Sequence, residues 1–301
     1  MNRPNVLDPG PIIAHRGARL VAPENTLLAF RMAEAQGTPW VEFDVSLLGD
    51  GTPVVHHDAT LDRCTDATGS LQSIGKDDLA DIDAAAGHPM GHSVADHPGH
   101  PSAHPSAHLL ARHLARPLRH ASGNDLGRPL ERPVGRAWEP LPTLQEALAL
   151  LDSRHMFGNL EIKTHGNAPD EIAQAVNAEL SVHHWTRERI LVSSFQHDTL
   201  AALRALNAEI PLATLYKAPS DDWPSTADDL SAAAVHVHYR YLSKSLLTHA
   251  QRIGVDVRVY TVNDPALLQP FLKHGLTSVI TDDPALFLDD PEWRAWADES
   301  G

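Results

Sequence analysis

Glu42 and Asp44 in WVEFDV, and Glu161 and Lys163 in NLEIKT, are each spaced i and i+2. In an extended strand such residues project from the same face, so each segment presents a pair of charged side chains together. Buried parallel strands normally read as unbroken apolar runs, and charge at equivalent points of two of them needs a reason. Three carboxylates gathered in one place repel unless a cation sits among them. Their hard oxygen atoms favour Mg²⁺ or Ca²⁺ over a softer metal, and Arg16 and Lys163 nearby suit an anionic, phosphorylated substrate.

Two histidines can supply proton transfer. His15 ends one β-branched run and His57 ends another, and imidazoles titrate near neutral pH. One can therefore accept a proton from a nucleophile while the other donates one to a leaving alkoxide. His56 falls on the opposite strand face from His57, so only one of that pair is expected to line a site.

Such a constellation needs a scaffold that brings distant strand ends together. Short β-branched runs at 12–15, 40–45, 159–163, 190–194, 212–216, 234–238, 256–260 and 278–281 alternate with stretches of helical spacing, the pattern of parallel βαβ units. Thr26, Thr143, Ser243 and Asp264 are suitable N-caps, and Gly37, Gly254 and Gly275 suitable C-terminal stops. DPALLQPFLKHG is expected to be one of the helices. Eight strands and about eight helices predict a (β/α)8 TIM barrel, whose functional sites lie at the C-terminal ends of its strands. That places His15, Arg16, Glu42, Asp44 and Glu161 at one mouth.

The fold leaves extra chain after the second strand. The sequence reads as one barrel domain over 1–301 with a small inserted subdomain at 46–140. A turn at Gly49-Asp50-Gly51 starts it, folding 54–57 back beside the second strand as a hairpin. At about 84–136 the insertion becomes a low-complexity, His-rich loop, with eight of the chain's 20 histidines between His88 and His120 and the near-repeat HPSAHPSAH. Its imidazoles could take Zn²⁺, Ni²⁺ or Cu²⁺. Pro101 and Pro105 argue against a helix that would align them, which favours a flexible surface loop.

Composition narrows the partners. The chain has 24 basic and 39 acidic residues, a formal net charge of −15, and no Lys/Arg run to displace counterions from a nucleic acid. Cys64 is the only cysteine, so no intrachain disulfide forms and a reducing, cytoplasmic setting is expected. MNRPNVLDPGPIIAH lacks the apolar core of a signal peptide, and no stretch approaches the roughly 18 apolar residues of a membrane span. No stable membrane association is expected, and the sequence leaves the oligomeric state open.

The segments AHRGARLVAPENTLLAF (14–30), VEFDVSLLGDGTPVVHHDATLDRCTDATG (41–69), LEIK (160–163), LVSSFQ (191–196), VYTVN (259–263) and ITDDP (280–284) together resemble the glycerophosphodiester phosphodiesterases. They look closest to the cytoplasmic bacterial form linked to glycerol phosphate uptake. The resemblance covers most of the chain and implies a (β/α)8 barrel with a subdomain inserted after the second strand. It also implies that His15 and His57 are the catalytic acid and base, that Glu42, Asp44 and Glu161 bind one divalent cation, and that Arg16 and Lys163 hold the phosphate. Ser194, Phe195 and Tyr260 match positions near the substrate pocket. Glu24, Asn25 and Asn263 would hydrogen-bond loops or metal ligands, or cap local structure.

The implied reaction hydrolyses a small-molecule glycerophosphodiester, such as glycerophosphocholine or glycerophosphoethanolamine, to sn-glycerol 3-phosphate and an alcohol. Water or the glycerol 2-hydroxyl would be the nucleophile. A lysophospholipase D-like reaction on the same scaffold is the alternative. Two departures stand out. IDAAAGHPMGHS replaces an aromatic segment usual in the family, and Thr277 stands where aspartate is common, a change expected to act locally.

Overall fold

Eight parallel strands close into a ring in the computed structural model, which describes residues 10–86 and 138–300. The strands are β1 (Ile12–His15), β2 (Trp40–Leu47), β3 (Pro53–Val55), β4 (Phe157–Ile162), β5 (Ile190–Ser194), β6 (Leu212–Tyr216), β7 (Ala234–His238), β8 (Asp256–Tyr260) and β9 (Ser278–Thr281). Their order is β1-β9-β8-β7-β6-β5-β4-β2, and β1 pairs with β2 to complete the barrel. The ninth strand, β3, runs antiparallel on β2 with Val45 opposite Val55, the hairpin expected from the Gly-Asp-Gly turn.

The helices among the described residues are α1 (Leu27–Ala35), α2 (Leu144–Ser153), α3 (Pro169–Ser181), α4 (Thr186–Arg189), α5 (His197–Leu206), α6 (Trp223–Asp229), α7 (Lys244–Ile253), α8 (Pro284–Leu288) and α9 (Pro291–Ser300). Thr26 and Ser243 cap α1 and α7, and Thr143 opens α2 with a reciprocal Thr143–Glu146 capping box. Gly254 ends α7 at φ +67°, a left-handed position that a glycine accepts without strain. The predicted helix at DPALLQPFLKHG is instead two 3₁₀ turns, Pro265–Leu267 and Gln269–His274. Pro265 follows the N-cap Asp264, where a helix needs no N–H, but Pro270 removes a donor that an α-helical ladder would need, so the segment tightens rather than propagates. Among the described residues, no helix is long and apolar enough to cross a membrane.

Strand alternation divides the packing. Val41, Phe43 and Val45 of β2 join Val235, Val237, Val257 and Val259 in the core beneath the helices. Trp40, Glu42 and Asp44 consequently take the barrel interior. Trp40 packs there with Ile13 and Ile280, forming an apolar floor below the carboxylates.

A second, smaller core belongs to the inserted chain. Leu48, Val54, Leu61, Leu71, Leu79, Ile82 and Leu141 pack together apart from the barrel core. The histidine-rich stretch from His88 to His120 lies outside the described residues. Where the chain returns, the Glu139 carbonyl accepts the Ala84 N–H at 2.8 Å and the Glu139 N–H reaches Asp83 Oδ1 at 3.2 Å.

The Glu139 side chain is buried, and burial pushes its carboxyl up to about 7, against the attraction of Arg31. Its pKa is thus higher folded than unfolded. Between its ordinary value and about 7 the native state holds more protons than the unfolded state, so stability falls as pH rises through that window. We expect Glu139→Gln to remove a pH dependence of about 1–3 kcal/mol between pH 5 and 8. Urea melts at both pH values read this directly, and an unaltered slope in the variant would contradict it.

Candidate active site

The first strand ends in a tight turn that only a glycine permits. Arg16 adopts φ +57° and Gly17 φ +78°, and a Cβ on Gly17 would lie 2.7 Å from the Ala29 backbone. The turn aims the Arg16 backbone N–H at Glu42 Oε2, 3.0 Å away, and its Nε lies 3.1 Å from Asp44 Oδ2. Asn25, also left-handed at φ +59°, donates its amide to Asp44 Oδ2 at 2.8 Å and accepts the Asp44 N–H at 3.2 Å. Asn25 thereby fixes a carboxylate besides shaping its own loop.

Glu42, Asp44 and Glu161 converge as the interior pattern requires. Each offers an oxygen within 4.8 Å of the others, and all three are buried. Lys163 Nζ lies 3.2 Å from Asp44 Oδ1 and also contacts Glu161 Oε1. Burial pushes Glu42 well above the usual carboxylate range, helped by Asp44 and Glu161. Glu161 rises to about 7, first through burial and then through Asp44, against the pull of Lys163. Asp44 is held low despite its burial because Lys163 and Arg16 flank it.

These residues fit a cation. Glu42 Oε1 is buried and has no hydrogen-bond partner in the protein, although three acidic groups crowd the site. A hard divalent ion would satisfy that oxygen and relieve the repulsion.

The two histidines sit beside this centre, each backed by a carboxylate. His15 Nδ1 lies 2.6 Å from Asp282 Oδ1, and its Nε2 lies 3.9 Å from Glu42 Oε2. His57 Nδ1 lies 2.5 Å from Asp58 Oδ1. Burial is the main influence lowering both imidazoles from their ordinary value. His56 is buried on the other face, with Nε2 2.9 Å from the Thr60 carbonyl.

The pocket residues divide. Phe195 is 40% exposed at the mouth, edge-on to Tyr260 at 6.1 Å, with Lys163 Nζ 5.8 Å from its ring centre. Tyr260 donates its hydroxyl to the Tyr216 carbonyl at 2.9 Å. Ser194 turns away from the interior: its hydroxyl donates to the Ile162 carbonyl at 3.0 Å and accepts the Gln196 N–H at 3.1 Å. Its placement suits a strut between β4 and β5. Thr277 acts locally, accepting the Val257 N–H at 3.1 Å.

Several polar residues around the site were not singled out from the sequence. Asp58 and Asp282 lie within the quoted segments, and the dipeptides His57-Asp58 and Asp282-Asp283 offered a signal. Arg19 and Arg63 offered none, being single loop arginines. His165, at φ +45°, places Nε2 3.0 Å from the His57 carbonyl and links the loops after β3 and β4. Asn263 donates to Asp282 Oδ2 at 2.8 Å and accepts the Asp282 N–H at 2.9 Å.

Comparison with known proteins points the same way as the geometry. The chain is 25% identical over 273 residues to a glycerophosphodiester phosphodiesterase of Caldanaerobacter subterraneus, covering 91% of this chain and 94% of that protein. It is 43% identical to human glycerophosphodiester phosphodiesterase 1 over 84 residues, 28% of this chain and 25% of that protein. Among solved structures, an Oleispira antarctica phosphodiesterase in complex with the product sn-glycerol-3-phosphate superposes with a TM-score of 0.72 at 27% identity, covering 96% of both chains. The sequence pattern of the glycerophosphoryl diester phosphodiesterase family extends over residues 15–286, from His15 to beyond the last barrel strand. With buried carboxylates, paired cations and carboxylate-backed histidines at the mouth of a (β/α)8 barrel, the chain belongs to the glycerophosphoryl diester phosphodiesterase family.

Proposed function

We propose that this enzyme hydrolyses small, water-soluble glycerophosphodiesters, such as glycerophosphocholine and glycerophosphoethanolamine, to sn-glycerol 3-phosphate and the free alcohol. The observation that carries this reading is the buried triad of Glu42, Asp44 and Glu161, flanked by Arg16 and Lys163 and by His15 and His57. The product held by the Oleispira antarctica relative supports it. The triad would hold one divalent cation, Mg²⁺ or Ca²⁺, which when bound neutralises charge on the phosphoryl oxygens.

The protein side chains perform the remaining work. Arg16 and Lys163 bind the phosphate and oppose the negative charge that grows on its equatorial oxygens. One histidine removes a proton from the attacking oxygen as its bond to phosphorus forms. The other delivers a proton to the alcohol oxygen as the phosphorus–oxygen bond breaks. Both act through Nε2, because each Nδ1 is engaged by an aspartate. Phe195 and Tyr260 pack against the carbon atoms of the substrate. The barrel and the described part of the insertion act as one domain, and the lone Cys64 suits a cytoplasmic setting.

The direct test is product identity. Purified protein incubated with glycerophosphocholine and Mg²⁺ or Ca²⁺ should release choline and sn-glycerol 3-phosphate. Release of phosphocholine would place the cleavage on the other side of phosphorus. Activity on lysophosphatidylcholine alone would replace the small-molecule reading with a lysophospholipase D-like one.

A further inference from the structure

The Nδ1 atoms of His15 and His57 are joined by a continuous belt of alternating charge that bypasses the acidic triad. From His15 the belt passes to Asp282 Oδ1 at 2.6 Å, and from that oxygen to Arg19 Nη1 at 3.4 Å. Arg19 Nη2 lies 3.0 Å from Glu24 Oε2. Glu24 then receives Arg63 through Nη2 at 2.8 Å and Nη1 at 3.1 Å. Arg63 Nε donates to Asp58 Oδ2 at 2.5 Å, and Asp58 Oδ1 lies 2.5 Å from His57 Nδ1. At its midpoint Glu24 also takes Arg16 Nη1 at 2.6 Å, so the phosphate-binding arginine hangs from the same carboxylate.

We propose that Arg19 and Arg63 are positioning residues, which lock the two catalytic imidazoles into one shared orientation through this belt. The inference rests on the acid–base reading of His15 and His57 given above. Alternation decides the outcome: three carboxylates separated by two guanidiniums leave a carboxylate at both ends. Each end therefore presents an acceptor to Nδ1–H and fixes the same tautomer, with Nε2 turned to the substrate. A planar guanidinium suits each junction because its fork spans two carboxylates at once, which a lysine ammonium does with less geometric control. Arg19 and Arg63 are themselves 28% and 45% exposed, so the ion pairs they make are worth little to global stability and their value lies in orientation.

The test compares Arg19→Met, Arg63→Met and Arg63→Lys on two substrates, glycerophosphocholine and a glycerophosphodiester with a p-nitrophenol leaving group. Each Met variant should lose roughly 10–100-fold in kcat on glycerophosphocholine, with KM and Tm close to wild type. Arg63→Lys should recover part of the loss. A p-nitrophenolate leaves without a proton, so the good leaving group should rescue whichever variant releases the acid and leave the other impaired. The double Met variant should lose less than the product of the single losses, because both break one belt.

Single variants within two-fold of wild type on glycerophosphocholine overturn the proposal, as do equal losses on both substrates accompanied by a lowered Tm. If the wild-type chain cleaves neither diester, the functional reading fails and the belt is judged by imidazole ¹⁵N–¹H spectra. The belt requires Nδ1–H at both histidines and a changed His57 signal in Arg63→Met. An unchanged spectrum overturns it.

Discussion

Replacing His57 with alanine is expected to lower kcat on glycerophosphocholine by about 10²–10⁴-fold, the usual range for loss of a positioned acid or base. His57 stands on the short segment after β3, its side chain is 32% exposed, and its ring contacts Asp58 rather than the barrel core. Truncation therefore opens no deep cavity, and Tm should move by only a degree or two. His15 contrasts with it: that ring is more enclosed, between Asp282 and Glu42, so His15→Ala should lose activity and some stability together. Steady-state kinetics beside thermal melts of the two variants separates these effects. A loss below five-fold in His57→Ala would remove it from proton transfer.

Chelation is expected to have the second large effect. The triad brings three carboxylates within 4.8 Å, and only Arg16 and Lys163 make direct ion pairs with it among the basic residues with permanent charge described here. Activity should fall to background in excess EDTA and return with added Mg²⁺ or Ca²⁺. A ligand at 100 times its Kd adds about 2.7 kcal/mol to stability, which for a chain of this size raises Tm by about 5 °C. The gain should vanish in Glu161→Gln if that carboxylate is a ligand. Wild-type activity and Tm indifferent to EDTA and to either ion would remove the cation from the reading.

The barrel was legible because its strands must alternate apolar residues toward the helices with other residues inward. Val41, Phe43 and Val45 obey that rule on one face, and this isolated Glu42 and Asp44 on the other. The same logic carried Glu161. It failed where geometry is set by loops. Arg63 reaches Glu24 across 39 positions of chain, a pairing no local spacing encodes. The helical reading at 264–275 failed because Pro270 breaks the ladder that apolar spacing alone would continue. Ser194 was grouped with Phe195 by motif, although Ser194 ends β5 with its hydroxyl on the Ile162 carbonyl and Phe195 lies in the loop beyond the strand.

The separate apolar cluster built from Leu48, Val54, Leu61, Leu71, Leu79, Ile82 and Leu141 has a consequence for how this enzyme can change. His57 and Asp58 are carried by the chain that folds around that cluster, whereas the carboxylate triad and His15 stand on barrel strands. The proposed proton carrier therefore stands where this cluster meets the barrel, at a seam closed by β3 on β2 and by the His56 N–H donating to the Asp44 carbonyl at 3.0 Å. On the proposed reading, substitutions confined to the smaller cluster can shift the tilt of His57 while the barrel residues that would hold phosphate keep their places. Divergence of substrate choice within this scaffold has a ready route there, one that leaves the barrel sequence untouched.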